Sequence, residues 1–596
     1  MHQGFQKILL IMMLLAGASP IALADPTTER IKHTPPGEWP SHGRDYSNQR
    51  YSPLKQINAG SVSKLAAVWT YKSGVKATFQ TTPIVVNGTM YLSLPFNHVV
   101  ALDARTGKEI WRYEHKRRAD RAMCCGPSNR GVAVGYGKVF MGTVDARLIA
   151  LDEKTGNKVW DIDVAEGSQT LTEKINGIST ADPLAKATAV GSTGVGIAMA
   201  PVLYEGRVLI GITGVGFGLH LEPSDKSPLA VVGMAGKYGR AGFLAAYDAE
   251  TGSRLWKFDT VPAKGWEGSY ITTTPDGIRL PRDIKKERET VAQNSEAWRY
   301  GGGSAWSTPA IDPKSGLLYF GTGNPSPQME DISRPGDNLY TASLVALEVA
   351  TGKLRWYYQQ VPHDLWGYDV ASPAVLFDFE RNGKKIPAVA QASKTGWLYI
   401  HHRESGELLL KSDAFVPQKN MFQRATATGV RINPGVIGGV NWSPIAIDEE
   451  RAQAYVAAVH WPVVYTLHAT PASGNNPALR YTAMEPVNDE RWGVLAAIDL
   501  KTGHLKWEHK FREPLIGGVL ATAGNLVFTG EGNGNFNALD ASNGALLWQY
   551  RCEAGANAPP ITYEIDGVQY LAIAAGGNQL FGFNQGDQVA VFALSQ

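Results

Sequence analysis

The sequence predicts an all-β chain, an eight-bladed β-propeller built from tryptophan-docking repeats. Two observations support this fold class. First, one pattern recurs along the chain: a short apolar strand that ends in Asp, a Thr-Gly turn, and a second strand that carries Trp. Second, 64 glycines and 34 prolines accompany many Val, Tyr and Trp residues. This composition is typical of short strands joined by tight turns.

Each copy of the repeat predicts a β-hairpin. Glycine supplies the positive φ of the turn, the Asp side chain can accept turn amides, and Trp provides a large apolar surface with one N–H for docking between sheets. Two weaker copies, 65–69 and 399–408, bring the total to about eight units. Complete copies end in Trp111, Trp160, Trp256, Trp356, Trp507 and Trp548.

Such repeats close most naturally into a ring, because a propeller leaves only short, protected sheet edges. We therefore expect the C-terminal strand 589–594 to pair with N-terminal material and complete the last sheet. The surplus residues of each unit should lie in loops on one face, where repeat proteins build their binding sites.

The N-terminus predicts export. Lys7 precedes the apolar run 8–15, and Ala22-Leu23-Ala24 forms an A-x-A cleavage site. We expect a signal peptide over residues 1–24 and a single propeller domain over 25–596. The apolar run is too short to span a bilayer, and no later segment predicts a membrane span. The expected location is the periplasm, where disulfides persist.

Several function classes find no support. The net charge of +2 is uninformative about partners, but no Lys/Arg run is typical of a nucleic-acid patch, so we expect no nucleic-acid partner. There is no Walker loop, no dinucleotide fingerprint and no nucleophile elbow in its required setting. The sequence also lacks C-x-x-C-H, the attachment motif of c-type haem.

The repeats resemble the tryptophan-docking propeller of the PQQ-dependent (quinoprotein) alcohol and glucose dehydrogenases. Residues 39–54 and 517–530 are similar to the first and last segments of that family. The resemblance implies an oxidoreductase that uses PQQ and a metal ion, Ca²⁺ or a lanthanide, to oxidise an alcohol or sugar hydroxyl. Electrons would pass to a separate cytochrome c or another acceptor.

Adjacent cysteines are the sharpest local motif of this resemblance. Cys124 and Cys125 begin the segment Cys-Cys-Gly-Pro-Ser-Asn-Arg. Their Cα atoms lie about 3.8 Å apart across a trans peptide, closer than a relaxed disulfide prefers. The family carries a vicinal disulfide on one face of the quinone, and a later arginine, here Arg130, binds a cofactor carboxylate. Two free buried thiols are the alternative.

Further cofactor residues follow from the same resemblance. Trp306 would stack on the other face of the quinone, and Lys394 would place a cation near the quinone oxygens. Thr213 and Gln80 lie in segments that contact the cofactor in the family. Asn324 would give its amide oxygen to the metal. The alternatives are an Asn-Pro turn without metal and a solvated loop lysine.

Two positions depart from the family pattern. Gly216 stands where a metal-ligating Glu is expected, and Gly367 stands where the catalytic Asp is expected. We expect Asp369 to be the remaining site carboxylate, as catalytic base, metal ligand or both. If that segment is extended, residues 367 and 369 share a face. Asp364 is expected to be a turn carboxylate.

These departures keep a second function open. A propeller without a base and with fewer metal ligands could serve as a non-catalytic binding or assembly module. Cys124, Cys125, Arg130 and Trp306 count against it, because a scaffold has no use for a strained disulfide that faces an indole.

Overall fold

The computed structural model is all-β, as the sequence predicts. It describes residues 25–118, 126–127, 129–165, 195–214, 235–236, 239–473 and 478–595, and the backbone of four further short strands. The predicted signal peptide, Cys124, Cys125 and Gly216 lie outside the described residues. Within them, the α-helices are Pro26–Lys32 and Ile284–Thr290, and the 3₁₀ helices are Val62–Lys64, Pro95–Asn97, Ala292–Asn294, Ala297–Tyr300, Asn488–Glu490 and Gln579–Phe581.

None of the helices in the described part of the chain is long and apolar enough to cross a membrane.

Eight sheets with four antiparallel strands each follow one another along the described chain, and we number them sheet 1 to sheet 8. Sheet 1 is Ile84–Val86, Thr89–Ser93, Val99–Asp103 and Glu109–Tyr113. Sheet 2 is Ala133–Gly135, Lys138–Gly142, Arg147–Asp152 and Lys158–Asp163. Sheet 3 is Val202–Tyr204, Arg207–Gly211, Phe243–Asp248 and Arg254–Asp259. Sheet 4 is Ala310–Asp312, Leu317–Gly321, Ser343–Glu348 and Leu354–Gln359.

The second half of the chain repeats this arrangement. Sheet 5 is Val375–Arg381, Lys384–Ala392, Leu398–His402 and Leu408–Lys411. Sheet 6 is Ala446–Asp448, Gln453–His460, Trp492–Asp499 and Leu505–Phe511. Sheet 7 is Leu520–Thr522, Leu526–Gly530, Asn535–Asp540 and Leu546–Arg551, with Tyr51–Ser52 added in parallel to its first strand. Sheet 8 is Ile561–Ile565, Val568–Ala575, Gln588–Leu594 and Leu65–Lys72.

Two further sheets come from the connections within and between these units. One joins Val430–Ile432, Val463–Thr470, Leu479–Pro486 and Gly233–Met234. The other joins Glu173–Lys174, Thr188–Ala189 and Leu219–His220.

The C-terminal strand pairs with N-terminal material, as predicted. Gln588–Leu594 runs antiparallel to Leu65–Lys72, with Leu65 opposite Leu594 and Lys72 opposite Gln588. Sheet 8 is therefore built from both ends of the described chain.

Indoles connect six of the eight sheets to the next at the outer turns by hydrogen bonds. Trp111 of sheet 1 donates its Nε1–H to the carbonyl of Glu153 in sheet 2 at 3.0 Å. The turn glycine Gly156 has a φ of 72°, and a Cβ there would lie 2.5 Å from Cε3 of Trp111. Only glycine fits both constraints. Equivalent indole-to-carbonyl bonds join Trp160 to Ala249, Trp256 to Val349, Trp356 to Arg403, Trp507 to Ala541 and Trp548 to Leu65.

The N-terminal segment, residues 25–52, hydrogen-bonds to all eight sheets. One fully buried anchor is Arg50, whose guanidinium donates to the carbonyls of Val519 at 2.9 Å and Pro560 at 2.6 Å. The contacts with sheets 1 to 8 are, in order, Trp39–Val85, Thr27–Tyr136, Thr28–Glu205, Tyr46–Ile311, Ser47–Leu376, Gln49–Ile447, Arg50–Ala521 and Gly37–Glu564.

Candidate active site

Segments between the strands bring five of the predicted site residues together. Asn324 follows the second strand of sheet 4, and Asp369 lies in the connection from sheet 4 to sheet 5. Lys394 follows the second strand of sheet 5, and Trp306 and Arg130 precede the first strands of sheets 4 and 2. The site is thus assembled from residues far apart in the chain.

A buried ion pair forms one half of the site. Lys394 donates from Nζ to Oδ2 of Asp369 at 3.0 Å, and both side chains are buried. The main-chain N–H of Asn324 donates to the other carboxylate oxygen. Gly323 permits this approach, because a Cβ at that position would lie 3.3 Å from Oδ1 of Asp369. Asp369 is therefore fixed by two donors, one of which carries a full positive charge.

Trp306 lies close both to this ion pair and to a second cation. The Lys394 ammonium lies 5.9 Å from the centroid of the Trp306 ring, and the Arg130 guanidinium lies 4.9 Å from it. Both distances are within the range of cation–π attraction. The indole thus contacts a positive charge at two points, which suits it to a ligand that carries negative charge.

Arg130 has no anionic partner among the described residues. It lies between the rings of Trp306 and Trp442, 4.5 Å from the centroid of the latter. Its Nη1 donates to the carbonyls of Trp306 at 3.2 Å and Ala198 at 3.4 Å, and its buried Nε–H is unpaired. Burial lowers the pKa of Arg130 to about 9, which leaves it charged at neutral pH. An uncompensated buried guanidinium is costly and fits a carboxylate ligand.

Trp442 is a site residue that sequence reasoning missed. A signal was present: the segments 306–309 and 442–444 read Trp-Ser-Thr-Pro and Trp-Ser-Pro, and each directly precedes the first strand of a sheet. An alignment of the repeats at these segments would have placed both indoles at equivalent points around the centre.

The structure brings Gln80 and Thr213 near the site without direct contact to Asp369 or Lys394. The segment of Gln80 adjoins Arg130, since the N–H of Thr82 donates to the Arg130 carbonyl at 3.0 Å. The main chain of Thr213 exchanges hydrogen bonds with that of Gly196. The carbonyl of the preceding residue, Ile212, accepts the N–H of Ala305, which is next to Trp306 in the chain. The roles of both residues toward a cofactor stay predictions.

Gly367 has no room for a side chain. Its φ is 77°, and a Cβ there would lie 2.4 Å from Cγ2 of Val436 and 2.6 Å from Nε2 of Gln328. The segment around it is not a strand, so the condition under which residues 367 and 369 would share a face is not met. A left-handed glycine turns the chain here, and alternation does not apply.

Asp364 holds this turn, as predicted. Its two carboxylate oxygens accept the N–H groups of Trp366 and Tyr368, both at 2.9 Å. Burial raises the pKa of Asp364 to about 7, and the neighbouring Asp369 contributes in the same direction. The turn carboxylate therefore fixes the main chain that carries Asp369.

The oxygen donors suit a metal ion only in part. The side-chain amide of Asn324 is oriented by its Nδ2–H, which donates to the Pro325 carbonyl at 2.9 Å. Its Oδ1 makes no hydrogen bond to the described residues. Asp369 adds a carboxylate. Ca²⁺ takes 6–8 oxygen ligands, so most would come from the cofactor or water. The described residues contain no group of three or more His, Cys, Asp or Glu that could hold a metal.

Comparison with known proteins gives a consistent result. The chain matches the family described as PQQ glucose/ethanol/alcohol dehydrogenase, β-propeller domain, over residues 39–421 and 412–571. It is 31% identical to the quinoprotein alcohol dehydrogenase PedH of Pseudomonas putida, over 99% of this chain and 96% of the relative. It is 32% identical to the quinoprotein ethanol dehydrogenase of Pseudomonas aeruginosa, over 91% and 86% of the two chains.

Solved structures extend the likeness to three dimensions. The quinohemoprotein alcohol dehydrogenase ADHIIG of Pseudomonas putida HK5 superposes with a TM-score of 0.75 at 31% identity, over 95% of this chain and 82% of that one. A europium-containing methanol dehydrogenase superposes with a TM-score of 0.74 at 27% identity, over 94% and 99%.

Proposed function

Because the chain belongs to the family of PQQ-dependent alcohol dehydrogenases, we propose that it is a periplasmic enzyme that oxidises the hydroxyl group of an alcohol or a sugar. The observation that carries this proposal is the arrangement around Trp306. The unpaired guanidinium of Arg130 lies against this indole, and the Asp369–Lys394 pair lies near it. A cation for the cofactor and a carboxylate for the substrate thus share one site.

The eight sheets and their indole contacts support an eight-bladed propeller with tryptophan docking. Trp69 of sheet 8 lies against Gly107 of sheet 1, and Trp548 of sheet 7 donates to Leu65 of sheet 8. These contacts, with those that join the earlier sheets, make a circuit in which every sheet has two neighbours. In sheet 5, Leu410 takes the place of the indole against Gly503.

The residues present fit PQQ, a planar quinone that carries carboxylates. Arg130 would bind one carboxylate, Trp306 would stack on one face, and the Cys124–Cys125 disulfide would cover the other. Lys394 would face the quinone oxygens, with Thr213 and Gln80 at the rim. The chemistry that PQQ and a Ca²⁺ or lanthanide ion supply when bound is two-electron oxidation and Lewis-acid polarisation.

Asp369 is the proposed base. It would take the hydroxyl proton of the substrate on a carboxylate oxygen, and a base in this position contributes about 10²- to 10⁴-fold to a rate. Lys394 offsets its charge, and the N–H of Asn324 fixes its orientation. Asn324 and Asp369 are also the proposed metal ligands. Electrons would leave to a separate cytochrome c or another carrier.

The test is reconstitution. Purified protein is incubated with PQQ and either Ca²⁺ or La³⁺, tryptophan fluorescence reports binding, and dye reduction is assayed with a panel of alcohols and sugars. We expect quenching and turnover with at least one substrate. Quenching without turnover would favour a non-catalytic binding module, which Gly367 supports and the relatives do not. Absence of quenching would refute the cofactor assignment.

The proposed location has its own test. N-terminal sequencing of the protein from a periplasmic fraction should begin at Asp25, whose side chain accepts the N–H groups of Thr27 and Thr28 at the start of the first helix. Recovery from the cytoplasm with residues 1–24 intact would contradict export.

A further inference from the structure

Gln328 carries a side-chain amide that makes no hydrogen bond to the residues that the structure describes. The residue is 3% exposed, and its Oε1 is buried and accepts no hydrogen bond from the described residues. Its Nε2 likewise donates to none of them. Only the main chain of Gln328 is engaged, since its carbonyl accepts from Arg334 at 3.4 Å.

The position of this amide ties it to the candidate active site. Gln328 follows the metal-ligand candidate Asn324 by four residues. Its Nε2 lies 2.6 Å from the point that a Cβ of Gly367 would occupy, and Gly367 precedes Asp369 by two residues. The amide thus occupies space that a side chain at residue 367, the position of the expected catalytic Asp, would need.

Burial of an unpaired amide disfavours a purely structural role. Leaving such a group unsatisfied costs stability, whereas an apolar side chain of the same shape would not. The chain offers a direct contrast in Gln569, which is 1% exposed. There the Oε1 accepts the N–H of Ile57 at 2.9 Å and the Nε2 donates to Thr562 at 3.0 Å. Gln569 is structural by its contacts, and Gln328 is not.

We propose that the Gln328 amide binds the reacting hydroxyl group of the substrate beside Asp369. This inference rests on the proposed function. A hydroxyl can donate to Oε1, which is buried and has no partner among the described residues, and can accept from Nε2. The amide is neutral and takes no proton, so it orients the hydroxyl while the proton goes to Asp369. Gln328 is thus a second substrate-binding group, and Val436 supplies an apolar surface next to it.

The test compares Gln328→Met with the matched control Gln569→Met, because Met keeps the length and shape of Gln without its polar atoms. Affinity for 1-butanol and for glycerol is measured by saturation-transfer NMR on PQQ-loaded protein without an electron acceptor, and KM, kcat and Tm are measured separately. We expect Gln328→Met to weaken binding and raise KM about tenfold, with Tm unchanged or higher. Gln569→Met should lower Tm and leave KM unchanged.

Two results would overturn the inference: affinities of Gln328→Met within twofold of wild type, or a loss of Tm as large as that of Gln569→Met. Binding of neither probe by wild-type protein would overturn it as well. Failure of the proposed function gives a different result from failure of this inference: the PQQ-loaded wild type would then reduce no dye with any substrate.

Discussion

At the outer turns, docking indoles donate their N–H groups to carbonyls of the neighbouring sheet, as Trp111 does to Glu153. At the candidate site, buried polar atoms of the described residues are left unpaired. Among the docking indoles of the outer turns, Trp69 is the exception, because its Nε1–H has no partner among the described residues. The unpaired atoms near the site include Nε of Arg130, Oε1 of Gln328 and Oγ of Ser443 and Thr82. The docking indoles thus use their N–H groups for contacts between sheets, whereas several polar groups near the site remain available to a ligand.

The largest effect should come from the base. Asp369→Asn should lower kcat about 10³-fold, because an amide cannot take the hydroxyl proton. Reconstituted enzyme in the dye assay gives the measurement. The control is Asp312→Asn, which also alters a buried ion pair, with Arg403 at 3.2 Å, but outside the site. Equal activities of wild type and Asp369→Asn would assign the base elsewhere.

Asp364 should make the centre sensitive to pH. Its pKa is raised to about 7, so between pH 4 and pH 7 the folded state holds a proton that the unfolded state has lost. Its contribution to stability therefore falls as pH rises through this window, by at most about 4 kcal/mol. Urea unfolding of wild type and Asp364→Asn at four pH values measures this, because the variant does not titrate at residue 364.

Relative to wild type, the free energy of unfolding of Asp364→Asn should increase from pH 4 to pH 7. Above pH 7 the difference between the two proteins should be constant. Parallel pH profiles would mean that residue 364 is ionised in both states.

Arg130→Met should separate ligand binding from stability. We expect PQQ affinity to fall about 30-fold, roughly the value of one charge-assisted hydrogen bond pair. Stability without cofactor should fall less than in the matched control, because Arg130 makes only two long bonds to carbonyls, at 3.2 and 3.4 Å, and its Nε–H is unpaired among the described residues. Fluorescence titration and urea unfolding measure the two effects. Arg50→Met is the matched control: this buried arginine also lacks a counter-charge among the described residues, but it holds the carbonyls of Val519 and Pro560 at 2.9 and 2.6 Å, so its loss should destabilise the protein more. Equal losses of stability in the two variants would contradict the comparison.

The smallest effect should come from the outer turns. Gly156→Ala places a Cβ 2.5 Å from Trp111 and should cost about 2 kcal/mol of stability. Gly206→Ala has the same positive φ, 73°, but nothing within 4 Å, so it should cost about 1 kcal/mol. The difference isolates the docking contact. Turnover per folded molecule should be unchanged in both, and a loss of turnover would contradict the division between turns and centre.

The sequence was informative where the signal is local and repeated. Hairpins with Asp, Gly and Trp at fixed spacing predicted the strands and the pairing of 589–594 with N-terminal material. For the site, the resemblance grouped Asn324, Asp369 and Lys394, which the structure brings together.

What was missed depends on contacts between distant residues. Nothing in the local pattern around Gly367 indicates a left-handed turn packed against Val436, so the strand argument for Asp369 does not apply to this geometry. The unpaired amide of Gln328 is likewise visible only when its surroundings are known. Local periodicity does not show which groups lack partners.

The contacts of residues 25–52 have a consequence for how the chain is made. Some partners of this N-terminal segment are synthesised near the end of the chain. Arg50 donates to the carbonyl of Pro560, which follows it by 510 positions. A protein with such high contact order cannot finish folding as it emerges, and closing so large a loop is slow. Until the last strand is released, sheet 8 is incomplete: Leu65–Lys72 and Val568–Ala575 lack the strand that lies between them, and apolar side chains of sheets 7 and 1 that pack on sheet 8 are uncovered. We expect the nascent protein to depend on chaperones that cover this surface, and expect chains that end before residue 588 to be degraded.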